Sequence, residues 1–160
     1  MTVTRDDWRA AMGAFASGVT IVTSLEGDQP RGSTVSAFTS VSLDPPLLLI
    51  CVDKSNPLHA PLLQAGFFGV HILGADQGDL GMRFAVPPVE TRFDNLDFTC
   101  HEGGAPHIVS APVFIDCETQ QVHEAGTHHI FIGRGVRIMN GPEQPPLVYH
   151  KGGFGAFTPA

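Results

Sequence analysis

Three stretches of this sequence carry residue types that can do chemistry. His123-Glu124-Ala125-Gly126-Thr127-His128 approaches the His-Glu-x-x-His zinc motif. Its second histidine is five positions on instead of four, and Gly126 favours a turn, whereas that motif needs both imidazoles one helical turn apart. Cys117, His123, His128 and His129 are the set from which a metal site would have to be gathered. The plainer reading is a strand end and a turn with exposed histidines, and no metal is expected. Gly133-Arg134-Gly135 lacks the third glycine of a dinucleotide fingerprint and falls inside an expected strand. The third stretch, from Gly32 to Leu47, is small, hydroxyl-rich and closed by Pro45-Pro46. Ser33, Ser36, Ser40 and Ser42 have no nucleophile-elbow context. They are ordinary strand hydroxyls or a row of donors facing a polar ligand. Small side chains let a flat ligand approach the backbone, so that N–H groups reach its carbonyl and ring-nitrogen edge.

These stretches must be positioned by short strands. Residues 4–16 read as a helix, with Thr4 as N-cap, Asp7 three residues on, and Trp8, Ala11, Met12 and Phe15 on one face. Gly18 is placed to stop it. Residues 19–24 and 32–38 flank the turn-rich 26–30 segment as a hairpin. The run 47–52 has no alternation, which predicts a strand buried on both faces. Asn56-Pro57 reads as a helix start and Gly66 as its end. Residues 67–73 are strand-like, and 76–85 form a short helix with Leu80 and Phe84 on one face. Alternation along 113–119 and 130–138 predicts half-buried antiparallel strands, with Ile130 and Ile132 inward. The sum is six or seven strands and three short helices. A closed or nearly closed barrel would remove the sheet edges.

Composition narrows the class. At 160 residues one domain, 1–160, is expected, and no linker or repeat interrupts it. Gly 18 and Pro 13 together make about 19% of the chain, rich in turns but short of low complexity. Charged residues are only 16%, which suggests surface hidden in an oligomer. A net charge of −7, with two Lys and seven Arg spread from Arg5 to Lys151, argues against nucleic-acid backbone binding. The longest apolar run is the six residues 47–52, so no membrane span is expected. Neither a secretory leader nor paired cysteine spacing is visible, and Cys51, Cys100 and Cys117 read as reduced thiols of a cytoplasmic protein.

Six ordered motifs then point one way. They are residues 15–23, 32–46, Leu80 to Ala85, Arg92-Phe93, Gly126 to Gly133, and 146–149. Together they resemble the flavin reductase-like family, from about residue 8 to 157. The departures are Gly81 for an alanine, Thr127 where an Asp usually precedes the histidine, and 151–154 in place of a pattern that often carries Arg and Tyr.

The resemblance implies a mainly β fold, a six- to seven-stranded antiparallel Greek-key split β-barrel with short flanking helices. It implies a homodimer binding FMN or FAD near its interface, with NADH or NADPH as co-substrate. Thr34, Val35, Ser36 and Ala37 match the segment bordering the isoalloxazine ring. Cys51, Val52, Asp53, Lys54, Ser55 and Asn56 match the strand end and loop that hold ribityl and phosphate. Lys54 supplies a point charge there, and Ser55 and Asn56 would stand at a helix N-terminus suited to an anion. Without that motif Lys54 would be a solvated loop lysine. Phe84, Ala85 and Arg92 match further flavin-side positions, the alternative for Arg92 being a surface salt bridge. His128 matches the site-facing catalytic histidine. The implied function is an NAD(P)H:flavin oxidoreductase partnered with a flavin-dependent monooxygenase. The alternatives are a bound-flavin oxidase or electron-transfer protein on the same barrel, and a non-catalytic flavin-binding module.

Overall fold

The structure, a computed structural model, describes residues 2–160. Helix α1 (Arg5–Gly13) opens with the expected cap, Thr4 Oγ1 accepting from Asp7 N at 3.1 Å and the Asp7 carboxylate accepting from Thr4. This satisfies helix-end donors reciprocally. The helix ends at Gly13, three residues earlier than its pattern predicts. Gly18 does not stop it but lies in β1 (Ser17–Gly18), opposite Val148. None of α1 is buried, and Trp8, Met12 and Phe15 are all more than half exposed.

Strands β2 (Thr20–Glu26) and β3 (Gln29–Val35) form the expected hairpin about Gly27-Asp28. The expected strand 32–38 breaks at Ser36-Ala37, and β4 (Phe38–Ser42) starts afresh. β5 (Leu47–Asp53) corrects the two-faced burial read from its apolar run. Leu48, Ile50 and Val52 are buried, while Leu47, Leu49 and Cys51 are only partly covered. Helix α2 (His59–Ala65) starts later than Asn56-Pro57 predicts. Asn56 instead opens a turn, its Oδ1 accepting from Leu58 N at 2.9 Å and its carbonyl from His59 N at 2.8 Å. Gly66 closes α2 as expected, at φ 73°. β6 (Phe67–Ile72) and α3 (Gly78–Ala85) follow, with Phe84 buried and Leu80 packed beside it.

β7 (Phe98–Thr99) and β8 (His107–Ile108) pair as a small ladder. β9 (Val113–Ala125) and β10 (His128–Asn140) are thirteen-residue strands, longer than expected, with pairing shifts at Ile132/Gly133 and Gly135/Arg137. The inward face of β10 is Phe131 and Gly133, not Ile130 and Ile132, so the predicted register is off by one. A Cβ on Gly133 would fall 2.5 Å from the Phe68 ring, and only glycine lets β10 lie that close to β6. In β9, Phe114 and Asp116 are buried alongside Cys117, so that half of the strand is covered on both faces. β11 (Leu147–His150) and β12 (Gly153–Ala156) complete a three-stranded sheet with β1.

The main sheet is antiparallel and seven-stranded, in the order β3-β2-β6-β9-β10-β5-β4. Its two edge strands, β3 and β4, are joined by Ser36 and Ala37 alone. Two cores flank it. One gathers Val22, Ile50, Phe68, Phe131, Leu58 and Leu62. The other holds Ile21, Leu73, Phe84, Ile108 and Leu147. Among the described residues no helix is long and apolar enough to cross a membrane.

Candidate functional site

Two hollows meet at the two-residue corner between β3 and β4. A cleft of about 320 Å³ is lined by Val19, Thr34, Ser36, Met82, Ala85 and Phe154, with Tyr149 and Gly152 at its mouth. Ser36, Tyr149 and Gly152 also line a wider open groove of about 1270 Å³, lined as well by Trp8 and Met12 of α1 and by Phe15 just beyond it, so the two hollows adjoin. Because β3 is an edge strand, alternate N–H and C=O groups beside the cleft have no strand partner. The sequence reading of donors along this stretch is thereby narrowed from successive to alternate ones. Thr34 is fixed by donating Oγ1–H to Gly81 O at 2.6 Å, which ties β3 to α3.

Val35 is buried, its carbonyl accepting from Thr20 Oγ1 at 2.5 Å, whereas Ser36 and Ala37 are exposed. Phe84 and Arg92 stand behind β3 and line neither hollow. A Cβ on Gly32 would meet the Phe84 ring at 2.7 Å. Arg92 is 5% exposed, which overturns the surface salt-bridge alternative. It donates Nη1–H to Gly32 O at 2.8 Å and Nη2–H to Val86 O at 3.2 Å, and its buried Nε has no partner among the described residues. Burial pushes the Arg92 guanidinium below its ordinary pKa. Arg92 and Phe84 therefore shape the strand, while Ala85 lines the cleft itself.

The second expected segment is held against the first. Cys51 N donates to Ala37 O at 3.0 Å, and Asn56 Nδ2 donates to Ser33 Oγ at 3.0 Å. Val52 is core, and burial raises the Cys51 thiol pKa. Beyond the strand end, Asp53 Oδ1 accepts from Ser55 N at 2.7 Å and Ser55 Oγ at 2.6 Å, which holds its carboxyl below the usual range. Lys54 pairs with Glu124, whose pKa this lowers. The backbone N–H groups are already used: Lys54 N donates to Thr127 O and Asn56 N to Asp53 O, both at 2.9 Å. With α2 beginning at His59, no helix N-terminus stands at Ser55-Asn56, so the anion argument passes to the side chains of Lys54 and Ser55.

His128 lies opposite Asp53 in the β10–β5 ladder, its Nε2 4.0 Å from Asp53 Oδ2. Thr127 Oγ1 is 2.9 Å from His128 Nδ1, so a hydroxyl takes the orienting place expected of an Asp. Neither His128 nor 51–56 lines the two hollows; they form a polar shelf beside them. The four residues of the metal alternative are not brought together. Cys117 is in the core, burial holding its thiol pKa at about 12, while His123 is exposed and bonds Gln121. Among the described residues no group of three or more His, Cys, Asp or Glu could hold a metal.

Sequence reasoning missed Met82 and Tyr149 as lining residues, and it missed His59. The Trp8-Met12-Phe15 stripe along and just beyond a helix with no buried residue was the available signal for the groove.

The family model described as "Flavin reductase like domain" matches residues 12–158. The chain is 41% identical over 152 residues to a Rhizobium meliloti (strain 1021) protein named "Probable flavin reductase", covering 94% of this chain but only 48% of that one. It is 39% identical to the FMN reductase (NADH) SmoA of Agrobacterium fabrum, covering 94% and 85% of the two chains. The solved NADH:FAD oxidoreductase of Streptomyces globisporus C-1027, in complex with NAD and FAD fragments, is 37% identical, with TM-score 0.90 and coverage of 99% and 98%.

Proposed function

The chain belongs to the flavin reductase-like family, and we propose that it is an NAD(P)H:flavin oxidoreductase that reduces FMN or FAD by hydride transfer and supplies reduced flavin to a partner monooxygenase. The 4-nitrophenol monooxygenase reductase component of Rhodococcus opacus, 37% identical over 81% of its length, supports the two-component arrangement. The observation that carries the reading is the juxtaposition at Ser36-Ala37. A cleft with small residues, Thr34, Ser36 and Ala85, on one side and the larger Met82, Tyr149 and Phe154 on the other runs along a strand edge with free backbone groups, and a shelf bearing Lys54, Ser55 and His128 adjoins it.

These residues fit a flavin. Ala85, Ser36 and Thr34 leave room for a planar ring, and the free edge of β3 offers groups complementary to its polar rim. When bound, the flavin supplies the redox chemistry. The N–H groups along the free edge of Thr34–Ala37 would face the ring's polar rim and would stabilise negative charge there, as an oxyanion hole does. Phe154 and Tyr149, packed edge to face with ring centroids 6.0 Å apart, wall one side of the cleft. His128 positions the nicotinamide by hydrogen bonding or packing and transfers no proton. In this reading the fold is a single-domain split barrel of Greek-key type; the two-residue link between the opposite edges of the seven-stranded sheet supports its near closure.

The test is the rate of NADH and NADPH oxidation with FMN, FAD or riboflavin added. Flavin-dependent turnover is expected, and oxidation no faster than without flavin overturns the proposal. In the same assay His128→Ala should slow flavin reduction by roughly 5- to 30-fold, the value of one positioning contact, with flavin affinity nearly unchanged. Unaltered reduction would remove His128 from the nicotinamide site.

The protein is a homodimer in this reading. Trp8, Met12 and Phe15, exposed 59%, 52% and 79%, form an apolar stripe over the wide groove, of the kind that marks an interface. Sedimentation at micromolar concentration should give twice 17.0 kDa. A stable monomer that still binds flavin would place the site wholly within one chain.

A further inference from the structure

Behind Lys54 two imidazoles meet edge to edge. His59, the first residue of α2, and His129 of β10 are nearly coplanar, with ring centroids 4.8 Å apart and planes 22° apart. His59 Nε2 lies 2.6 Å from His129 Nδ1. Both rings stand edge-on to the buried Phe131, each with its centroid 6.2 Å away. One hydrogen must lie between those two nitrogens, since two lone pairs or two N–H groups at that distance repel. The neutral pair satisfies this in either direction. One added proton goes to an outer nitrogen and makes the contact charge-assisted, hence stronger. A second added proton would set N–H against N–H and force the rings apart.

We propose that His59 and His129 act as a one-proton site that sets the charge of the shelf formed by Asp53, Lys54 and Ser55, and so its preference for a phosphorylated flavin over an uncharged one. The charged groups around the pair are Asp53 and Lys54 at the end of β5, Glu124 on β9 and His128 on β10; the rest of α2 carries none. His59 is held below its ordinary pKa, by burial first and then by His129 and Lys54, with Asp53 opposing. In the free protein the positive charge of Lys54 is taken by Glu124, and the donors of Ser55 by Asp53. A phosphate entering here meets two carboxylates, and an imidazolium shared by the pair offsets one of them. Riboflavin, lacking the phosphate, gains nothing from that proton.

This inference rests on the reading of 53–56 as the phosphate loop. The experiment follows the His59 and His129 ring resonances by NMR from pH 5 to 8, in the free protein and with saturating FMN or riboflavin. The pair should take up one proton. Its midpoint should rise with FMN by the equivalent of about three- to tenfold tighter binding to the protonated form, and should not move with riboflavin. His59→Gln and His129→Gln should each abolish the shift seen at the remaining ring while retaining riboflavin binding, which also reports that the variants fold. A midpoint unchanged by FMN, or full protonation of both rings by pH 5, overturns the inference while leaving the flavin site intact. Failure of FMN and riboflavin to bind at any pH overturns the site reading itself, and this inference with it.

Discussion

Replacing Lys54 and Ser55 together with alanine should weaken FMN binding by about ten- to a hundredfold and leave riboflavin within about twofold. The expectation follows from where the loop's donors already go. The N–H groups of Lys54, Ser55 and Asn56 are taken by Thr127 O, Asp53 Oδ1 and Asp53 O. Recognition of an anion therefore falls to the Lys54 ammonium and the Ser55 hydroxyl, which can leave Glu124 and Asp53 without breaking the backbone turn. A charge-assisted hydrogen bond to a phosphate is worth about 1.5–3 kcal/mol, more than the solvent-screened ion pair it replaces. Only FMN carries the phosphate, so the comparison cancels whatever the substitutions do to the ring site. Fluorescence titration of both ligands gives the answer, and equal weakening would remove these residues from the phosphate site.

The second large effect is on stability. The protein should lose on the order of 4 kcal/mol between pH 6.5 and pH 3 through His71 alone. This imidazole is fully buried between β2 and β9, stacked on His107 and tilted against Phe114. Its Nε2 accepts from Ile108 N at 2.9 Å, which leaves Nδ1–H to donate to Ile21 O at 3.0 Å. Both nitrogens are used, and a proton on Nε2 would turn the Ile108 amide from partner into opponent. Burial, aided by nearby His107, pushes its pKa down to about 3, while the bond to Ile21 opposes this. Because the folded pKa lies below the unfolded one, the unfolded chain binds the extra proton. The contribution is fully present above pH 6.5 and is lost as pH falls towards 3. Denaturant unfolding between pH 7 and 4 should show His71→Gln less stable at pH 7, yet with a pH slope shallower by about one proton, roughly 1.4 kcal/mol per pH unit. Parallel slopes for the two proteins would show that His71 is charged or exposed in the fold.

Much of the architecture was legible in the residues. The Thr4–Asp7 cap, the 26–30 turn, Gly66 as a helix end and the strand content all follow from local chemistry, because caps and turns are set by neighbours three or four positions apart. The stretch from Gly32 to Pro46 stood out as small and hydroxyl-rich, but composition made it no more than a candidate lining, and its reading as a flavin segment came from the resemblance to the family. What local pattern could not decide was which face of a strand is inward. β10 has apolar residues on both faces, Ile130 and Ile132 against Phe131, and the choice was made by Gly133 lying against Phe68 across the sheet and by two pairing shifts. That choice turned His129, not His128, towards Phe131 and made its meeting with His59, seventy residues away in the chain, possible. The burial of Arg92 was likewise decided at long range, by the carbonyl of Gly32 sixty residues earlier. Sequence alone offered 34–37 as a candidate lining for a flat polar ligand and determined that the fold would be mainly strands. Only the tertiary structure decided which charges share the shelf beside it, because side-chain partners across a sheet depend on register, and register depends on packing that no single strand contains.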